Sequence, residues 1–252
     1  MTAIELQLWK DDLLVAGVDE AGCGPLAGPV VAAVVILPPF CEIKVRDSKT
    51  LSPTARESLF EAIKQHAVDW CYGWASPQEV TCFNIRYASY LAMLRAIKKL
   101  KVEPNMLLVD GYEIPYELPF PQQGIVKGDT RSLNIAAASI VAKVIRDRVM
   151  EIYDIFFPDY GFAQHKGYPT REHINKLLQL GPLPIYRVNY KPVKEVLTIE
   201  GVLKWRSHPF IQSGMRVNSS PSAICSSMVT KYCHATIARN AVSWTSSATR
   251  MV

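Results

Sequence analysis

Two apolar runs and the segment between them constrain this chain most. Residues 13–18 (LLVAGV) and 29–37 (PVVAAVVIL) are rich in β-branched side chains and free of charge, the pattern of buried strands. The first run leads straight into Asp19 and Glu20, and Gly22, Gly24 and Gly28 follow closely. Carboxylates at the end of a buried strand are costly unless paired, hydrogen-bonded or bound to a cation. Glycines beside them let a backbone approach a ligand closely.

The same motif recurs. Residues 106–109 form a short apolar strand ending in Asp110-Gly111, and a weaker strand over 124–127 precedes Gly128-Asp129. A further strand is expected over 70–75. Four carboxylates at strand ends, if the fold brings them together, make an oxygen-rich site suited to Mg²⁺ or Mn²⁺. Each one alone is also what an ordinary turn looks like, Asp110-Gly111 above all. Spacing does not show that they converge.

Helices are expected between the strands. Ser52-Pro53 is an N-cap followed by proline at the first helical position, opening a helix through Ala67. Residues 84–101 gather Ile85, Ala88, Leu91, Leu94 and Ile97 on one side of a wheel. An Ala-rich helix is expected over 132–155, and a shorter one over 170–180 closed by Gly181-Pro182. Strands mixed with helices point to an α/β or α+β layered core.

Composition removes several classes of function. With 252 residues, 49% of them hydrophobic, the chain is globular and holds one core, or one core and an appendage. The apolar run 29–37 ends at Pro38-Pro39, short of a membrane span. Glu5, Asp11 and Asp12 at the N-terminus are unlike a secretory signal, so the cytoplasm is the expected address. The six cysteines show no CxxC pair and no zinc-ligand spacing. The net charge of +5 is uninformative because residues 201–252 carry six basic and no acidic side chains, leaving −1 on the rest. That Ser-rich tail has no sustained hydrophobic period and is expected to be disordered. The expected division is a catalytic domain over 1–200 and a basic tail over 201–252.

Five blocks then carry a resemblance. VDEAGCGPLAGPVVAAVVIL, DSKTLS, LLVDG, VKGDTRSLNIAAASIVAKVIRDR and FPDYGFAQHKGYPT resemble, in order, the signature blocks of the bacterial ribonuclease HII family (type 2 ribonucleases H). The resemblance spans most of residues 13–196. It implies an α/β, ribonuclease H-like fold, with a mixed central sheet flanked by helices and a helical C-terminal part. It implies that Asp19, Glu20, Asp110 and Asp129 are the catalytic, metal-binding carboxylates, with Mn²⁺ or Mg²⁺ as cofactor. The implied partners are RNA–DNA hybrids and duplex DNA containing ribonucleotides. The implied activity is an endonuclease that hydrolyses the RNA strand of such hybrids. It would also incise 5′ of embedded ribonucleotides, leaving 5′-phosphate and 3′-hydroxyl ends.

Substrate-binding roles are expected for further residues. The resemblance implies that the loop Gly22, Cys23, Gly24 senses the 2′-hydroxyl and that Tyr168 stacks on a sugar at the RNA-to-DNA step. Lys49 and Lys127 can meet phosphates. Ser139 and Lys143 lie one turn apart on the Ala-rich helix and share a face that can hold a strand's backbone. His165 and Lys166 precede Tyr168 in a Gly-rich loop. Two departures stand out: Cys23 occupies a position where the family usually has arginine, and Arg187-Val188-Asn189-Tyr190 replaces the usual Arg-Arg-Ser-Phe. A DNA-only nuclease on a related fold and an inactive nucleic-acid-binding module are the rival readings. A monomer is the default, since no interface signature stands out.

Overall fold

The computed structural model of the chain describes residues 3–43 and 51–197. Lys49 and the tail 201–252 lie outside the described residues, so the expectations placed on them are not addressed by the fold. The elements in chain order are α1 (Ala3–Lys10), β1 (Val15–Ala21), β2 (Val30–Ile36), α2 (Pro53–His66), β3 (Asp69–Ala75) and α3 (Pro77–Ile97). After these come β4 (Met106–Asp110), β5 (Gln122–Ile125), α4 (Gly128–Arg131), α5 (Leu133–Phe156), α6 (Phe162–His165), α7 (Arg171–Leu180) and α8 (Lys191–Val196).

The sheet is mixed, in the order β3-β2-β1-β4-β5. β1 pairs antiparallel with β2, and β2 with β3, while β1–β4 and β4–β5 run parallel. Strands β1 and β2 are central and covered on both sides, which explains their unbroken apolar character. One face buries Val15, Val31, Val35 and Leu108 beneath Ile135, Ala138 and Ala142 of α5. The other buries Ala16, Val18, Val34 and Val109 beneath Ala88, Ala92 and Ala96 of α3. Both helices sit very close to the sheet. A Cβ on Gly17 would lie 2.0 Å from the Asn134 carbonyl carbon, and one on Gly73 would lie 2.3 Å from the Ala92 oxygen. The small residues at these crossings are therefore packing requirements.

Several sequence expectations shift. β1 does not stop at Val18: its ladder with β2 continues through Asp19↔Ala33 and Glu20↔Ala32. The two carboxylates therefore lie inside the strand, and because neighbours alternate they emerge on opposite faces. β5 spans residues 122–125 instead of 124–127, because Lys127 turns into the left-handed region at φ 54. Asp129 consequently sits in the one-turn helix α4 and not after a strand. α3 starts at Pro77, earlier than expected, with Ser76 and Glu79 forming a reciprocal capping box. The expected start, Asn84, is a kink with φ 65, where the Asn84 side chain accepts from the Arg86 and Tyr87 amides and caps the second segment.

One contact had no sequence signal. Glu5 of α1 is fully buried and receives hydrogen bonds from Ser132 Oγ and from the Leu133 and Asn134 amides, all at 2.8 Å. A carboxylate thus closes the N-terminus of the longest helix, where unpaired amides and the helix dipole favour negative charge. The C-terminal part is helical, as expected. It forms its own cluster around Phe162, Leu177, Ile185 and Tyr186, against Leu26 and Ala27 of the glycine loop.

Candidate active site

A cavity of about 270 Å³ opens at the end of β1 and β4. Asp19, Glu20 and Asp110 line one wall, with Ser139 and Lys143 of α5 beside them. Gly22, Cys23, Gly24 and Tyr168 line the facing wall. The fold therefore brings together three of the four expected carboxylates and six of the ten expected substrate-binding residues.

The carboxylate wall is placed by the sheet. β1 and β4 run parallel, so Asp19 and Asp110 reach the same end of neighbouring strands. Asp19 is buried, accepts from the Glu20 amide at 2.7 Å and is hydrogen-bonded by Ser139. Burial, then the charges of Glu20 and Asp110, push the Asp19 carboxyl well above the usual carboxylate range. Asp110 accepts from the Gly128 amide at 2.6 Å, which ties β4 to α4. Asp129, the next residue, is buried and does not line the cavity wall. Glu20 emerges toward α3, where Cys23 Sγ donates to its Oε1 at 3.3 Å.

A buried carboxyl whose ionisation is opposed by neighbouring carboxylates, as at Asp19, is the electrostatic condition that a bound cation relieves. The donors are oxygens, which suits a hard divalent ion. Among the described residues, no group of three or more His, Cys, Asp and Glu side chains is preassembled to ligate one ion. The carboxylates instead face open volume, which fits an ion that keeps several waters. The residues present fit such an ion, and Asp19, Glu20 and Asp110 are the lining carboxylates that could hold it.

The facing wall is placed by two arginines that are fully buried. Arg146 of α5 donates to the carbonyls of Pro29, Ala27 and Lys166 at 3.0–3.1 Å. Arg187 donates to Gly22 at 2.6 Å, to Cys23 at 3.1 Å and twice to Gly28. The Tyr190 hydroxyl adds a bond to the Cys23 carbonyl at 2.8 Å. Burial and the Arg187 charge lower Arg146 to about 10, so it stays cationic at neutral pH. Backbone bonds complete the frame: the Leu26 amide donates to Gly167, and the Arg187 amide to Leu26. Sequence reasoning gave these arginines no place at the site. Arg187 stands 165 residues from Gly22, and no local pattern reports such a contact.

The two glycines differ. Gly22 has φ +100, and a Cβ there would lie 2.2 Å from Arg146 Nε, so the fold itself demands glycine. Gly24 is exposed, and its Cβ would meet only Tyr168, at 3.6 Å. Tyr168 is 40% exposed. Lys143 Nζ and the Arg146 guanidinium lie 5.7 and 5.8 Å from its ring centre. Lys143 also donates to Asp147 at 2.6 Å, and burial lowers its pKa.

Among the described residues, the remaining expected ones do not line the cavity. His165 belongs to α6 and not to a loop. It is buried, stacks on His173 at 3.9 Å, and has both ring nitrogens bonded to backbone, at Tyr160 O and the Gly167 amide. Its place is explained by packing. Lys166 pairs with Glu151 at 2.6 Å and lends its carbonyl to Arg146. Lys127 is exposed at the start of α4. Among the described residues no helix is long and apolar enough to cross a membrane.

Comparisons with known proteins place the chain in a family. The family model described as Ribonuclease HII matches residues 16–193. Ribonuclease HII of Syntrophotalea carbinolica is 50% identical over 184 residues, covering 73% of this chain and 88% of that protein. The crystal structure of the ribonuclease H2 from Pyrococcus horikoshii OT3 superposes with a TM-score of 0.63 at 27% identity, covering 73% of this chain and 97% of that one. Bst-RNase HIII in complex with Mn²⁺ shares the fold, with a TM-score of 0.58 at 15% identity, covering 78% of this chain and 72% of that one. The matched stretch takes in both strands of the carboxylate wall and the arginines that frame the loop, and the chain belongs to the ribonuclease HII family.

Proposed function

We propose that this ribonuclease H cuts RNA–DNA hybrids and also incises on the 5′ side of single ribonucleotides in duplex DNA, leaving 5′-phosphate and 3′-hydroxyl ends. The observation that carries the proposal is the shared cavity. Carboxylates suited to a divalent ion face an exposed glycine and a half-exposed tyrosine across one small volume. Asp19, Glu20, Asp110 and Asp129 would hold Mg²⁺ or Mn²⁺. Such ions, when bound in a pair, supply activation of water and stabilisation of the leaving oxygen of a phosphodiester.

The chain's own residues do the rest. Gly24 lacks a Cβ that its own packing would tolerate, so the missing atom leaves room for a close ligand approach. Its backbone and that of Gly22 can test for a 2′-hydroxyl, the group that separates RNA from DNA. Tyr168, standing against Gly24 and backed by two cations, presents its ring to a sugar. Lys143 and Ser139 line the floor one helical turn apart, where a phosphate can lie. Ser139 also orients Asp19.

The test uses a labelled DNA duplex carrying one internal ribonucleotide, with and without Mg²⁺ or Mn²⁺, alongside the Asp19→Asn variant. Metal-dependent incision 5′ of the ribonucleotide, lost in the variant, is the expected result. Cleavage of hybrids without that incision would remove the single-ribonucleotide activity from the proposal. Cleavage of an all-DNA duplex would replace it with a nuclease blind to the sugar.

A further inference from the structure

We propose that Cys23 is a positioning residue for Glu20, and that through it the glycine loop sets how tightly the carboxylate wall holds a divalent ion. The inference rests on the reading of Asp19, Glu20 and Asp110 as metal carboxylates.

Cys23 is held at both of its ends. Its carbonyl is gripped by Arg187 Nη1 at 3.1 Å and by the Tyr190 hydroxyl at 2.8 Å. Its Sγ lies 3.3 Å from Glu20 Oε1, to which it donates, and 3.5 Å from Ser89 Oγ. Ser89 is buried on α3. The thiol therefore has little freedom to swing away. One residue joins three parts of the molecule at the site: the 187–190 segment, α3 and β1.

Glu20 is the carboxylate that this thiol reaches. It lies inside β1 with its side chain on the α3 face, opposite to Asp19, which Ser139 of α5 orients. Each strand carboxylate thus has a hydrogen-bonding side chain beside it. For Asp19 the group is Ser139 directly, and for Glu20 it is Cys23, backed by Ser89. A hydrogen bond to a ligating carboxylate restrains the plane of that carboxylate, and losing such partners weakens metal affinity or activity by about 10–100-fold. A thiol is a weak donor, so the effect belongs at the lower end of that range.

The experiment measures Mn²⁺ binding to the full chain without nucleic acid, by the loss of the free-ion electron paramagnetic resonance signal on titration. Wild type, Cys23→Ala, Cys23→Ser, Ser89→Ala and Asp19→Asn are compared, with melting temperature as the control for folding. We expect Cys23→Ala to weaken Mn²⁺ binding by about tenfold with the fold intact, Cys23→Ser to restore most of it, and Ser89→Ala to fall between. Mn²⁺ binding lost in Asp19→Asn but unchanged in Cys23→Ala would overturn this inference alone. So would a Cys23→Ser variant as weak as Cys23→Ala. Failure of the wild type to bind Mn²⁺ would overturn both this inference and the metal reading of the wall.

Discussion

The two walls of the cavity are built by different means. The carboxylate wall is a product of the sheet: parallel β1 and β4 deliver Asp19 and Asp110 to one end, in a register fixed by backbone bonds. The glycine wall has no ladder of its own. It is a loop held by two fully buried guanidiniums and by Tyr190, with partners drawn from far along the chain. Burying a cation costs several kcal/mol, and here the cost is offset by carbonyl acceptors and not by carboxylates. The comparison teaches that groups suited to chemistry rest on the register of the sheet, while groups suited to selecting the sugar rest on polar packing of a loop.

Perturbing each wall should therefore give different signatures. The largest effect is expected from Asp19→Asn, which should lower cleavage by on the order of 10³-fold or more. Its melting temperature without metal should stay the same or rise, because the native carboxylate is crowded by like charge. A large fall in melting temperature would show that Asp19 serves the fold. Arg187→Met should do the reverse, leaving several buried carbonyls without donors. Chemical denaturation should register a loss of about 3 kcal/mol or more, and a stability near wild type would remove the arginine from its framing role.

The glycines sharpen the contrast within one wall. Gly22→Ala should destabilise by about 2 kcal/mol, since both φ and the contact with Arg146 oppose a side chain. Gly24→Ala should leave the melting temperature nearly unchanged yet reduce cleavage at a single ribonucleotide. Equal effects of the two substitutions on stability would contradict the assignment of Gly24 to ligand approach.

A further effect, remote from the cavity, concerns pH. Burial lowers His173 from 6.5 to about 4. The unfolded chain then takes up the proton first, so this contribution to stability is full above pH 6.5 and is lost as pH falls toward 4. Urea denaturation across that window should show a shallower fall for His173→Gln than for wild type. Parallel curves would mean that His173 is not held neutral by the fold.

Much of this was legible in the sequence, for physical reasons that differ by element. The strands 13–18 and 29–37 declared themselves because both their faces are buried. The cap Ser52 did so because an N-cap is a local bond. The start of α3 was missed although Ser76-Pro77-Gln78-Glu79 carries a capping signature, because the helical period is clearest beyond the Asn84 kink. His165 looked like a loop ligand, and the fold turns it inward against His173. Glu5 and Arg187 were beyond reach, since each is explained by partners more than 120 residues away.

The most direct test of the division between walls is single-turnover cleavage by wild type and Tyr168→Ala. Two substrates are needed, a duplex with one ribonucleotide and a continuous RNA–DNA hybrid, and Mn²⁺ binding should be measured on the same preparations. The account predicts that Tyr168→Ala loses about tenfold more activity on the single ribonucleotide than on the hybrid, with Mn²⁺ binding unchanged. Equal losses on both substrates, or weakened Mn²⁺ binding, would contradict it.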